Sequence, residues 1–196
     1  MDDATRSEEY AARLQRRENA RWKRLLNVQA PFRWNLRRLD PGYTLDVGCG
    51  IGRNLHAVDG VGIDHNVTAV DTARRAGFEA FTPEAFAASS YARPARFDSL
   101  LLAHVVEHMA HQEAADLIGA YLPFVRPGGH VILIAPQEAG FRSDDTHVEY
   151  MDEAALSELL DSNGVTVTRH YSFPFPRMVG RWFRYNEFVT VGAVPA

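Results

Sequence analysis

The stretch Leu45-Asp46-Val47-Gly48-Cys49-Gly50-Ile51-Gly52 decides the fold. A short apolar run meets an acid, and three glycines then alternate with other residues before a helical pattern begins. Glycine has no Cβ and tolerates positive φ, so the backbone here can turn sharply and lie against a ligand. A strand feeding such a turn, with a helix N-terminus behind it, is the nucleotide-binding opening of a doubly wound α/β domain. Asp64 closes Val61-Gly62-Ile63, eighteen positions after Asp46. That spacing suits a carboxylate at the tip of a second strand, accepting hydrogen bonds from ribose hydroxyls.

Outward from this loop, strand and helix patterns alternate, which predicts a parallel sheet. The expected strands are Tyr43 to Val47, Val61 to Asp64, Phe78 to Phe81, Phe97 to Ala103 and His130 to Ala135, then Val165 to Tyr171 and Phe188 to Val194. Between them, helices are expected from Arg53 to Val58, Val67 to Ala76, after Thr82-Pro83, from Gln112 to Phe124 and from Asp152 to Asn163. Gly77 and Gly164 follow two of these helices as caps, and proline near a first helical position loses no hydrogen bond. Upstream, residues 5–29 read as one helix and Phe32 to Leu39 as a second, ended by Asp40-Pro41-Gly42. The 196 residues fit one domain, with 1–40 as a helical lid and 41–196 as the core.

The glycine spacing separates two cofactors. A dinucleotide fingerprint reads G-x-G-x-x-G, whereas here it is G-x-G-x-G, with Arg53 where the last glycine would stand. With Asp46 two residues ahead, the loop resembles motif I of the class I S-adenosylmethionine-dependent methyltransferases. Phe97-Asp98-Ser99-Leu100 followed by Val105-Val106-Glu107-His108 resembles that family's fourth-strand signature. Leu122 to Val131, with Arg126-Pro127-Gly128-Gly129, resembles the turn into its fifth strand. The pieces run in family order from about residue 44 to 164.

The resemblance implies a Rossmann-like, mostly parallel seven-stranded sheet. Its N-terminal helices would cover the site, and its last two strands would form an antiparallel edge hairpin. It also implies S-adenosylmethionine as methyl donor and S-adenosylhomocysteine as product. Gly48, Gly50 and Gly52 would then pass the methionine moiety, Asp46 would order their loop, and Asp64 would bind ribose with support from Asn66. Thr82, Glu84 and Phe86 become the candidates beside adenine. Ala103 and His104 would line the cofactor opposite the glycines.

Composition bounds the partners. A hydrophobic fraction of 46%, a charged fraction of 23% and a net charge of −4 are those of a soluble globular protein. No apolar run would span a bilayer, and the single cysteine, Cys49, excludes an intrachain disulfide and fits a reducing cytoplasm. Between Arg13 and Arg38 stand nine Arg or Lys residues and one acid, Glu18. A solvated helix face is the favoured reading, and a surface for nucleic acid, an acidic substrate or a partner is the minority one.

Methyl transfer from a sulfonium expels a neutral thioether, so positioning supplies much of the rate. An amine or carboxylate attacks unaided, whereas an alcohol gains from a base. His147, within Ser143-Asp144-Asp145-Thr146-His147-Val148-Glu149-Tyr150, is the expected base, with His104 as a further catalytic candidate and Asp144, Asp145 or Glu149 as orienting groups. Its competing role is to anchor the loop. Asp144 and Asp145 could also hold Mg²⁺ through oxygen ligands, although a solvated acidic loop is the favoured account. His104-Val105-Val106-Glu107-His108 matches the H-x-x-E-H zinc-peptidase pattern, but that chemistry needs both histidines on one continuous helix, and His104 follows a strand.

Phe173 to Asn186 is rich in aromatics and arginine and is placed to overhang an acceptor or to bury a homodimer interface. Together with the rim histidine and small size, it resembles the sugar O-methyltransferases, including those acting on mannosides in polysaccharide synthesis. The expectation is a cytoplasmic enzyme that methylates a small-molecule hydroxyl such as a sugar's. Methylation of a carboxylate or an amine, RNA methylation, and a non-catalytic cofactor-binding protein are the alternatives.

Overall fold

The computed structural model describes residues 29–196, so the helix expected over 5–29, Trp22 and most of the basic stretch fall outside the described residues. The described chain opens with α1 (Ala30–Arg38), followed by β1 (Tyr43–Val47), β2 (Asp59–Ile63), α2 (Val67–Arg75), β3 (Ala80–Phe81) and α3 (Pro83–Ala87). It continues with β4 (Phe97–Ala103), α4 (His111–Tyr121), β5 (Val125–Pro136), α5 (Glu138–Phe141), α6 (Glu153–Ser162), β6 (Thr166–Phe173) and β7 (Glu187–Ala193).

The strands form one seven-stranded sheet in the order β3-β2-β1-β4-β5-β7-β6. β1 to β5 run parallel, while β7 lies antiparallel between β5 and β6. Successive side chains of a strand point to opposite faces. Leu100, Leu102, Val131 and Leu133 therefore enter the larger core, while Leu101, Ile132 and Ile134 enter the second one. The larger core is closed by Ile118 of α4 and by Leu156, Leu159 and Leu160 of α6, and the second by Leu36 of α1. Burial on both faces is why the central strands read as continuous apolar runs.

Local chemistry places the helix starts. The Asn66 side chain accepts from Ala69 N–H at α2, Thr82 accepts from Ala85 N–H at α3, and Asp152 accepts from Ala154 and Ala155 N–H at α6. Three elements depart from expectation. Residues 53–58 form only a short 3₁₀ turn at Asn54–His56, because β2 already starts at Asp59. Gly60 there passes so close to β1 that a Cβ would overlap the Thr44 carbonyl oxygen. β5 begins five residues earlier than His130, since Val125 already pairs with Phe97 ahead of a register shift. β3 is reduced to Ala80–Phe81.

Candidate active site

The parallel strands all point their carboxyl ends at one rim, and the loops leaving β1, β2, β4 and β5 meet there. A cleft of about 310 Å³ opens between them. One end is lined by Gly48, Cys49, Gly50 and Asp64, the other by His104, His108, Asp144 and His147, with Asn35, Arg184 and Tyr185 along its edge. A smaller cavity of about 100 Å³ is lined by Pro83, Val105, Met109 and Tyr121. The two cavities share Gly48, Asp64, His104 and His108 as lining.

The glycine loop is held from beneath. Gly48 and Cys49 N–H groups donate to the Ile63 carbonyl, and Gly52 N–H donates to that of Cys49. Gly48 has φ +79°, and a Cβ on it would overlap Val105 Cγ2. Asp64 accepts from Gly50 N–H through Oδ2 at 2.7 Å and from Asn66 N–H through Oδ1 at 2.8 Å. Both backbone donors fix the carboxylate at the cleft wall, and each oxygen keeps a further lone pair. Asp46 sits lower and is fully buried; Asn54 Nδ2 donates to its Oδ1 at 3.1 Å. Burial, opposed by that hydrogen bond and reinforced by the Asp64 charge, pushes its carboxyl up to about 7. Asp46 thus acts on the loop through Asn54.

The adenine-side candidates divide. Thr82 caps α3, Glu84 is exposed, and Phe86 is a buried core ring packed against Phe97, Tyr121 and Phe124. Phe86 is among the lining of neither cavity, whereas its neighbour Pro83 lines the smaller one. Ala103 lines the cleft as expected.

His104 adopts φ +59° at the end of β4, which breaks the helical spacing that a zinc peptidase requires. Its Nε2 meets Glu187 Oε1 at 2.8 Å and its Nδ1 stands 3.3 Å from Glu107 Oε1. Burial disfavours the charged ring, but the Glu187 and Glu107 carboxylates outweigh it and push the imidazole up to about 10. The ring is therefore an imidazolium near neutral pH, with no lone pair to serve as a base.

His147 is arranged differently. Its Nδ1 lies 2.7 Å from the Phe141 carbonyl oxygen, which can only accept, so the proton resides on Nδ1 and Nε2 keeps its lone pair. Burial holds its pKa below the ordinary value, more than offsetting the Phe141 hydrogen bond and the nearby Glu107 charge. The orienting group is thus a backbone carbonyl, not the carboxylate expected. Asp144 Oδ1 accepts from the hydroxyl and amide of Thr146, and Glu149 accepts from His111 N–H. Val148 N–H donates to the Glu107 carbonyl at 2.8 Å and so stitches the His147 loop to the segment after β4.

The C-terminal overhang is built on buried polar contacts. Asn186 donates to Gln137 Oε1 and to the Phe175 carbonyl, and it accepts from Phe175 N–H. Arg177 clamps Glu138 through two bonds of 2.8 and 2.7 Å. These contacts hold Arg184, Tyr185 and Glu187 at the cleft. Glu187 carries no motif, and its role shows only once β7 is paired with β5.

Residues 13–170 match the methyltransferase-domain family. Magnesium protoporphyrin IX methyltransferase from Synechocystis, solved with bound S-adenosylhomocysteine, superposes with a TM-score of 0.67 at 16% identity, over 98% of this chain and 97% of that one. A Haloferax volcanii methyltransferase solved with the Trm112 activator gives 0.65 at 16% identity, covering 99% and 97%. An Archaeoglobus fulgidus methyltransferase gives 0.61 at 16%, covering 83% and 92%. No curated protein matches the chain. Among the described residues, no helix is long and apolar enough to cross a membrane.

Proposed function

The chain belongs to the methyltransferase-domain family, and on that premise we propose that it moves a methyl group from S-adenosylmethionine to a small-molecule hydroxyl, with a sugar as the acceptor class. The observation that carries this reading is the His147 ring on the cleft wall, its Nδ1 committed to the Phe141 carbonyl and its Nε2 lone pair left over. Fixing one nitrogen by a hydrogen bond presents the other as a base in a set orientation. The hydroxyl oxygen attacks the sulfonium methyl carbon, its proton passes to His147 Nε2, and sulfur departs as a neutral thioether. His104, doubly paired with carboxylates, positions the rim between donor and acceptor.

In this reading the ribose lies against Asp64, whose remaining lone pairs face its hydroxyls. The methionine portion passes Gly48 and Gly50, whereas Gly52, expected beside it, packs against Phe78 and Ala73 and lines neither cavity; the smaller cavity beside Pro83, Val105 and Met109 takes adenine. Donor binding to structural relatives of this fold supports the cofactor, as with the S-adenosylhomocysteine held by the Synechocystis enzyme. Asn35, Arg184 and Tyr185 suit a polyhydroxylated acceptor, since guanidinium and amide groups hydrogen-bond hydroxyls while an aromatic face packs on a sugar's apolar side.

The test is transfer from radiolabelled S-adenosylmethionine to a panel of sugars, phenols, carboxylates and amines. The expected result is labelling of a sugar hydroxyl that falls roughly 10²–10⁴-fold in kcat on His147→Gln, the share a general base supplies. Labelling confined to carboxylates or amines, unaffected by that substitution, would overturn the hydroxyl reading.

A further inference from the structure

Glu107 stands out just behind the cleft-lining His108 and His147. Its side chain is fully buried; among the described residues neither carboxylate oxygen has a hydrogen-bond partner, and the His104 imidazolium, 3.3 Å from Oε1, answers its charge on that side alone. With that imidazolium shared with Glu187, the Oε2 side of the carboxylate is left without a donor, a buried arrangement that a cation there would relieve. Beside it stand His108 and His147, their rings 4.8 Å apart. His108 Nδ1 lies 3.1 Å from the Thr146 carbonyl, just as His147 Nδ1 meets that of Phe141. Both histidines thus carry their proton on Nδ1, tied to backbone, and keep an Nε2 lone pair.

One donor atom from each of Glu107, His108 and His147 can be chosen so that all three lie within 4.8 Å of one another. Donors around a bound transition metal stand roughly 3–3.5 Å apart, so modest side-chain rotations close the set. Histidine ligands whose second nitrogen donates to a backbone carbonyl are the usual outer-shell arrangement of a metal site.

We propose that Glu107, His108 and His147 form a divalent transition-metal site at the acceptor end of the cleft. Two imidazoles and one carboxylate, with further positions open, suit Zn²⁺, Co²⁺ or Mn²⁺, whereas Mg²⁺ favours all-oxygen ligation. This is not the peptidase arrangement, because His104 is taken up by Glu187 and the third ligand comes from the distant loop after β5. The ion uses the nitrogen that would otherwise accept the acceptor's proton. With the ion bound, a coordinated hydroxyl loses its proton to water because the metal lowers its pKa, and the oxygen then takes the methyl as before. Only this last step rests on the hydroxyl reading; the site itself does not.

The experiment uses the full chain after chelator treatment, with neither methyl donor nor acceptor present. Co²⁺ is titrated while its visible absorption bands are followed, and Zn²⁺ stoichiometry is measured by equilibrium dialysis. One ion per chain is expected. Affinity should fall at least 100-fold in Glu107→Gln and separately in His108→Asn, and remain unchanged in His56→Asn, which lies outside the cluster. Two variants are used so that a folding failure in one leaves the other decisive, folding being checked by circular dichroism. No binding by wild type, or binding that survives both substitutions, overturns the site. A chain that methylates a sugar in excess chelator refutes the ion's part and leaves the hydroxyl reading standing. One that binds the ion but labels no hydroxyl does the reverse.

Discussion

Asp64→Asn tests the donor end of the cleft, and it is not a conservative change there. The two carboxylate oxygens face two backbone donors, Gly50 N–H at 2.7 Å and Asn66 N–H at 2.8 Å. An amide offers one oxygen, so its NH₂ must turn against one of these N–H groups. A hydrogen bond to a charged group contributes about 1.5–3 kcal/mol, and one backbone bond is lost outright. The bonds from ribose weaken as well, since they now reach a neutral acceptor or a donor. The backbone bond is lost with or without ligand and lowers stability, whereas the weakened ribose bonds cost about 1.5–3 kcal/mol of binding, roughly 10–10² in Kd at 1.4 kcal/mol per decade. Isothermal titration with S-adenosylhomocysteine measures this directly. Binding within threefold of wild type would refute both the assigned role of Asp64 and the inference that its backbone bonds orient it for a ligand.

Two further outcomes concern stability. Asp46 has its carboxyl pushed up to about 7 by burial, with the Asp64 charge adding, while an unfolded aspartate titrates near about 3.9. Because the native state binds this proton more tightly, the contribution of Asp46 to wild-type stability should fall as pH rises from about 4 to about 7 and then level off. Asp46→Asn keeps an acceptor for Asn54 and removes the charge, so its advantage over wild type should grow by about 2–4 kcal/mol between pH 4.5 and 7.5 in denaturant unfolding. An equal difference at both pH values would contradict it. Asn186→Ala should lower stability by about 2–4 kcal/mol, because it orphans Gln137 Oε1 and the Phe175 amide in a buried setting, and thermal unfolding would show it.

Much of the architecture was legible because each parallel strand is buried on both faces. Tyr43–Val47 and Phe97–Ala103 form with the bounds their apolar runs suggest. Caps such as Asn66 and Asp152 likewise announce α2 and α6 by chemistry that acts within three residues. The expected helix after the glycine loop failed because propensity is local, whereas the early start of β2 depends on pairing with Tyr43 and Thr44. At the site, Asp46, Asp64 and the three glycines stood out through spacing. His147 stood out as a rim histidine, but its orienting partner is a main-chain carbonyl, which leaves no trace in residue type. Phe86 misled because an aromatic after a short strand suits a core as well as a purine, and tertiary packing decides. Glu187 stayed hidden since its meeting with His104 spans 83 residues of chain.

The strand order has a consequence for how the chain acquires its structure during synthesis. Among the described residues β6 pairs only with β7, and β5 presents its outer edge to β7 as well, so residues 166–173 emerge before the strand that holds them. Until residues 187–193 arrive, β5 exposes an unpaired ladder and β6 has no ladder at all. An exposed strand edge is a template for pairing with other chains, and nascent domains are most vulnerable to it. The half around the glycine loop can assemble early from neighbouring βα units, but the opposite wall gains Glu187, which enters the cleft as the first residue of that late strand, only at the end. A ribosome stalled before residue 187 would carry a glycine loop already able to form, beside a cleft wall still lacking the carboxylate that pairs with His104.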